Sequence, residues 1–263
     1  MRDWRNGLLN GYTALVGLLL IAPTLIVIPM SLSSGERLQF PPPGFSMRWY
    51  GEFFTDETWI TALMASVKVA VTTVILATAL GTLLAFGLER GRFRGRALVH
   101  GFVLVPAIVP VVVVAIGMYF VFTSWNLTGS MVSVVMAHTV LALPLVVVTV
   151  SSSLRTLDRN LEDAAGTLGA GPMRAFRYVV LPAIMPGVVA AALFAFIKSW
   201  DEVVIALFLT DSSFRTLPTL MWIQIGSQID PTIAVVATLQ LGVTMLALAL
   251  LLVTRRRRAT RAK

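Results

Sequence analysis

The chain has 263 residues, 57% of them hydrophobic and 13% charged, with a formal net charge of +8. Soluble domains average roughly 25% charged residues, so a water-soluble globular fold is excluded. It has no cysteine, which excludes disulfides and thiolate metal sites, and its two histidines, His100 and His138, are too few for a nitrogen-rich metal centre.

A helix needs about 20 apolar residues to cross a hydrocarbon core of roughly 30 Å. In chain order, six stretches satisfy this: Leu8 to Leu32, Ile60 to Leu88, Ala97 to Thr123, Ser130 to Leu154, Ala183 to Leu209 and Ile233 to Thr254. The expectation is an all-α membrane protein in which residues 1–263 form one six-span transmembrane domain. The first stretch is too long for a signal h-region and lacks a small-x-small cleavage site, so it reads as an uncleaved span. After it, Phe40, Phe45, Trp49, Tyr50, Phe53, Phe54 and Trp59 read as an aromatic belt at the outer interface. Pro106, Pro110, Pro144 and Pro186 fall inside spans, where they bend or end helices. Lys68, in span two, can snorkel to the surface.

Cations fix the orientation. Arg2 and Arg5 precede span one; Arg90, Arg92, Arg94 and Arg96 join spans two and three; Arg155, Arg159, Arg174 and Arg177 join four and five; Arg255 to Arg258, Arg261 and Lys263 follow span six. The other side holds only Arg37, Arg48 and Arg215. Both termini are therefore expected in the cytoplasm. The terminal "RRRRATRAK" reads as a stop signal beside anionic lipid headgroups rather than a nucleic-acid site.

The cytoplasmic stretch 155–182, between spans four and five, contains "LEDAAGTLGAGPMRAFRYVVLP". Asn160 can cap a helix, with Asp163 as the reciprocal partner of a capping box and Glu162 adding negative charge to the first turn. Leu161, Ala164, Ala165 and Leu168 follow the i, i+3, i+4, i+7 spacing of one apolar face. Gly169 then supplies the left-handed residue that ends a helix. Gly171 can cap the next, Pro172 fits its first position, and Met173, Phe176 and Val180 share a face. The spacing predicts two short helices at an angle, and two turns of helix need something to pack on.

Span five carries "FAFIKSWDEVVIALFL". A charge at the bilayer centre costs about 2.5–3.5 kcal/mol, so Lys198, Asp201 and Glu202 should face the bundle or a water-filled path rather than lipid. Two readings stay open: Lys198 neutralises a carboxylate at i+3 or i+4, or the remaining carboxylate is a polar station for a cationic solute. His138, in span four, reads as a hydrogen-bonded interior residue that can also line such a path.

The cytoplasmic stretch resembles the loop of the permease subunits of ATP-binding-cassette importers, with pattern Glu-Ala-Ala, three residues, Gly, nine residues, Ile-x-Leu-Pro. Asp163, Ala164 and Ala165 fill its start, Gly169 its glycine, and Val179, Leu181 and Pro182 its end; Asp163 and Val179 depart conservatively. The likeness extends through "PPPGFSMRWY", "SWDEVVIALFLT" and "RTLPTLMW", and within the family it is closest to the polyamine (spermidine/putrescine) group. It implies a type I importer permease fold and a two-helix coupling loop in which Glu162, Asp163, Ala164, Ala165, Leu168, Gly169, Ala170, Pro172 and Phe176 meet an ATPase. Lys198, Trp200, Asp201, Glu202 and His138 would belong to the solute path. It further implies a second homologous permease subunit, two ATPase subunits that hold ATP and magnesium, an extracytoplasmic solute-binding protein, and a place in a bacterial inner membrane. No cofactor is expected on this chain: a P-loop needs Gly-Lys followed by Ser or Thr, and none of Lys68, Lys198 or Lys263 follows a glycine.

Other classes fit less well. A secondary transporter would favour matched broken helices in an internal repeat, and an intramembrane enzyme would need a nucleophile with its base, or metal ligands; the sequence offers none of these patterns. An amino-acid-like amine, a sugar or an inorganic ion remains an alternative solute.

Overall fold

A computed structural model of the chain describes residues 2–227 and 229–261, with side chains for residues 9–227 and 229–252. The flanking cations Arg2, Arg5, Arg255 to Arg258 and Arg261 have side chains outside that range, and Lys263 lies outside it entirely. Among the described residues the chain is helical, with one isolated antiparallel bridge, Ser33 to Phe45, and no named strand. Among the described residues five helices are long and apolar enough to cross a membrane, or six when one bent pair counts as a single span.

The residues divide into two compact units, Met1–Thr61 with Leu220–Gly242, and Ala62–Thr219 with Val243–Lys263. The first unit opens with α1 (Arg2–Ser31), which keeps Pro23 and Pro29 inside it. The chain then folds back on itself. Ser34 N–H donates to the Gly44 carbonyl at 3.0 Å and Ser46 N–H to the Leu32 carbonyl at 2.7 Å, which brings α2 (Arg48–Thr55) beside the end of α1. There Ser31 Oγ lies 2.9 Å from the Tyr50 hydroxyl, and Trp49 Nε1 donates to the Gly35 carbonyl at 3.1 Å. The aromatic residues expected to form a belt divide into two sets. Trp49, Phe53 and Trp59 are buried, with the Phe53 ring 6.0 Å from Trp59, and only Phe40, Phe45 and Phe54 are exposed. Aromatic pairs of this kind gain about 0.5–1.5 kcal/mol beyond the area they bury.

The second unit takes most of α3 (Glu57–Arg90), the bent pair α4 (Arg96–Ile108) and α5 (Val111–Ser124), then α6 (Met131–Thr156), α7 (Asn160–Thr167), α8 (Pro172–Ala175), a π turn (Phe176–Val180), α9 (Leu181–Trp200) and α10 (Val204–Leu209). Helices α11 (Leu217–Ser227) and α12 (Thr232–Arg261) complete the chain. The span expected over 97–123 is broken at Val109–Pro110, where α4 and α5 meet at 106°. Pro110 has no amide hydrogen and disfavours a helical Val109, which sits instead at ψ 137°. Pro144 and Pro186, by contrast, lie inside α6 and α9 without ending them.

Helix α6 is the axis of this unit. Ser130 caps it by accepting from Ser133 N–H at 3.3 Å, and residues from Ser133 to Leu154 are buried on most sides. Two cores form along it. Toward its arginine-bearing end, Ala85, Leu88, Val150, Leu154, Val180 and Ile184 pack together; toward its start, Val69, Ala115, Phe122, Val134, Ile205 and Leu209 do. Small residues let the helices approach: Ala190, Ala191 and Ala195 of α9 are fully buried, and Gly187 lies against Ser153 and the Thr149 carbonyl of α6. A side chain at Gly187 would overlap Ser153 Oγ, so Gly187→Val should cost about 1–3 kcal/mol through overpacking. Gly101→Ala, on an open face of α4, should cost nothing measurable. Thermal unfolding of both purified variants in detergent checks the contrast.

Candidate functional site

The elbow between α6 and α9 is built differently from its expected form. Helix α7 starts at Asn160, but Asn160 is not its cap: Asp158 accepts the Asn160 N–H at 3.0 Å through Oδ1, and Arg159 precedes the helix with helical dihedrals and no side-chain cap. The capping box with Asp163 therefore does not form. An aspartate two residues upstream closes a tighter turn and takes the role. The far end matches expectation. Gly169 sits at φ +84°, its N–H donates to the Gly166 carbonyl at 3.0 Å, and Ala170 N–H reaches back to the Ala165 carbonyl at 3.0 Å. That is a complete Schellman closure, which a residue with a Cβ makes less easily.

Gly171 is extended at ψ 164° and Pro172 occupies the first helical position, as the sequence implies. The second short helix does not stand alone. Helix α8 runs through the π turn into α9, so that Pro172–Trp200 forms one apolar rod of 29 residues and the second half of the elbow shares a helix with span five. The span expected over 183–209 is corrected accordingly: it begins earlier and stops at Trp200.

Helix α7 turns Ala165 inward and leaves Leu161, Asp163, Ala164 and Leu168 exposed, Leu168 at 88%. Met173 and Tyr178 continue the exposed apolar surface, while Phe176 is half-buried with its ring 4.7 Å from Phe86 of α3. Glu162 is not on that surface. Its carboxylate accepts from Arg90 Nε at 2.7 Å, with the two side chains only 12% and 19% exposed for Arg90 and Glu162.

The second cluster gathers where α9 ends. Lys198 Nζ donates to Glu202 Oε2 at 2.7 Å, and Glu202 Oε1 accepts the Ile205 N–H at 3.1 Å, so one carboxylate both neutralises a lysine and caps α10. Glu202 is 4% exposed at its side chain and Lys198 37%. Asp201 is exposed, and its carboxylate makes no hydrogen bond or ion pair among the described residues. His138 of α6 is buried, with Nδ1 2.9 Å from Ser199 Oγ and Nε2 unpaired; the expected interior, hydrogen-bonded histidine is what the fold contains. Trp200 is buried and stacked on Phe196 at 5.6 Å, with Nε1 unpaired. Lys68 is exposed on α3. Among the described residues no group of histidine or carboxylate side chains could hold a metal ion.

Glu89 has no counterpart among the residues singled out from sequence, yet it joins three helices. It is buried at the last turn of α3, accepts from Arg155 Nε and Nη2 at 3.1 and 2.9 Å, and lies 3.7 Å from Arg96 Nη2. Its one local signal was an acid among the arginines that end span two.

Comparison with known proteins is consistent throughout. Residues 77–259 match the family described as binding-protein-dependent transport system inner membrane component. The chain is 35% identical over 242 residues to the putrescine transport system permease protein PotI of Escherichia coli (strain K12), covering 89% of this chain and 84% of that one. It is 32% identical over 236 residues to the spermidine/putrescine transport system permease protein PotC of Haemophilus influenzae, covering 90% and 91%. Among solved structures, a chain of a bacterial alginate ABC transporter, in complex with an alginate pentasaccharide-bound periplasmic protein, superposes with a TM-score of 0.73 at 16% identity, covering 95% of this chain and 92% of that one.

Proposed function

The chain belongs to the family of binding-protein-dependent transport system inner membrane components, and on that premise we propose that it lines the solute path of an ATP-driven importer whose solute is a polyamine such as putrescine. A second permease subunit would complete the path. Two ATPase subunits, carrying ATP and magnesium, would dock one on each permease, here on Leu161, Asp163, Ala164, Leu168 and Met173, and a solute-binding protein would deliver from the other side. This chain would catalyse nothing itself. With the arginine-rich ends inward, both termini lie in the cytoplasm. ATP binding would draw the elbows of the two permeases together, and the spans would open to each side in turn by rigid-body rotation.

The observation that carries the choice of solute is the Asp201 carboxylate. Lys198 and Glu202 cancel each other at 2.7 Å, so the cluster keeps one negative charge, on the one acid that has not been used internally. An exposed carboxylate of that kind favours a cation over a neutral sugar or an anion. Uptake of labelled putrescine into vesicles holding the assembled importer, its binding protein and ATP tests the reading. Asp201→Asn should lower uptake about tenfold, the scale of one lost charge-assisted contact, with ATPase assembly unchanged. Unchanged uptake, or uptake equally competed by an amino acid, a sugar or an inorganic cation, overturns the solute assignment.

A further inference from the structure

The last turn of α3 ends on two consecutive charged residues, and both are committed to contacts with other helices. Glu89 receives Arg155 from the last turn of α6 and Arg96 from the first turn of α4, and its backbone carbonyl accepts from Arg159 Nη2 at 3.1 Å. Arg90 donates through Nε to Glu162 of α7 at 2.7 Å and through Nη2 to the Leu154 carbonyl of α6 at 3.1 Å. The ends of α3 and α6 are thus pinned to each other and to the first turn of α7, by side chains 66 to 72 residues apart along the chain.

This matters because α7 is only eight residues long and is joined to its neighbours by Leu157–Arg159 on one side and Leu168–Gly171 on the other. A two-turn helix on two short loops is soft. A push delivered to it would be taken up by the loops unless something stiffer carried the load. The Arg90 to Glu162 pair is shielded from solvent and anchored to a main-chain carbonyl, which makes it far stiffer than an exposed ion pair.

Resting on the importer reading above, we infer that Arg90 and Glu162 are positioning residues: a strut that makes α7 one body with the ends of α3 and α6, so that displacement applied at the elbow reaches both long helices. Glu162 is then not the acid that meets the ATPase. Asp163, its exposed neighbour, faces that partner, and the two adjacent acids divide the work between inside and outside.

The chain has no cysteine, which makes a direct test available. In the assembled importer in vesicles, R90C with E162C removes the strut and places two thiols that a short bifunctional reagent can join. Before joining, ATP hydrolysis stimulated by solute-loaded binding protein should fall about tenfold, within the range by which network mutations change coupling, while the ATPase still co-purifies. After joining, stimulation should return to within about threefold of the parent, because a covalent link does the strut's job. Full stimulation before joining overturns the inference, as does a loss that joining fails to repair, which would mean that α7 must swing relative to α3. If the double cysteine chain fails to assemble, the charge reversal R90E with E162R decides instead: recovery relative to R90E alone supports the strut, and a reversal as impaired as the single change overturns it. Parent vesicles that hydrolyse ATP without regard to solute overturn the importer reading itself, which separates that failure from this one.

Discussion

Asp163→Arg combined with Leu168→Glu is expected to separate the chain from its ATPase, with affinity lowered about 30- to 1,000-fold. Leu168 stands 88% exposed at the tip of an eight-residue helix, next to a glycine-closed turn. An apolar side chain so placed gains nothing from its own fold, and its value lies in what covers it. Losing an interface hot spot costs about 2–4 kcal/mol, and reversing a neighbouring charge adds to that. Both side chains are exposed, and Asp163 makes no side-chain hydrogen bond or ion pair among the described residues, so the thermal stability of the purified variant should stay where it was. Co-purification from membranes beside a melting curve checks both halves; retained association would move the docking surface elsewhere.

Glu202→Gln should act in the opposite way, destabilising the chain before any question of transport arises. Its carboxylate is 4% exposed, neutralises Lys198 and holds the Ile205 amide in the first turn of α10. Removing one partner of a buried pair costs about 3–5 kcal/mol, and the partial exposure of Lys198 places the loss near the lower figure. Replacing both members with apolar residues of similar size, Lys198→Met with Glu202→Leu, should recover a large part of it, because neither charge is then stranded. Thermal unfolding of the three purified chains measures this directly. A Glu202→Gln chain as stable as its parent would return Glu202 to the solute path.

What could be read from the sequence was local. Gly169 and Pro172 announce the turn and the helix start because their backbone preferences act at one residue, and Pro110 announces the break beside it for the same reason. The apolar stretches were legible because hydrocarbon imposes its length on any chain that crosses it. The interruption after Trp200 was not, since Asp201, Glu202 and Val203 include neither glycine nor proline; the helix stops because a carboxylate folds forward to cap the next one. Nor were the partners of Glu89 and Arg90, which lie on helices far along the chain and leave no periodic trace. The same holds for Asn160: the capping pattern was present, but Asp158 reached the amide first. Nor is it legible which aromatic residues after span one pack on each other, because composition does not distinguish a ring facing a headgroup from one facing another ring.

The rod that runs from Pro172 through the π turn to Trp200 also sets a ruler inside the molecule. From Arg177, near its beginning, to Asp201, just past its end, is 24 residues, or about 36 Å at 1.5 Å per residue. Oil in a bilayer is roughly 30 Å thick. Whichever way the polypeptide threads, its guanidinium and its lone acid can therefore each reach wet surroundings at the same moment, on opposite shores. An acid so placed stands at the rim of the oil rather than in its middle, wherever the rod is centred.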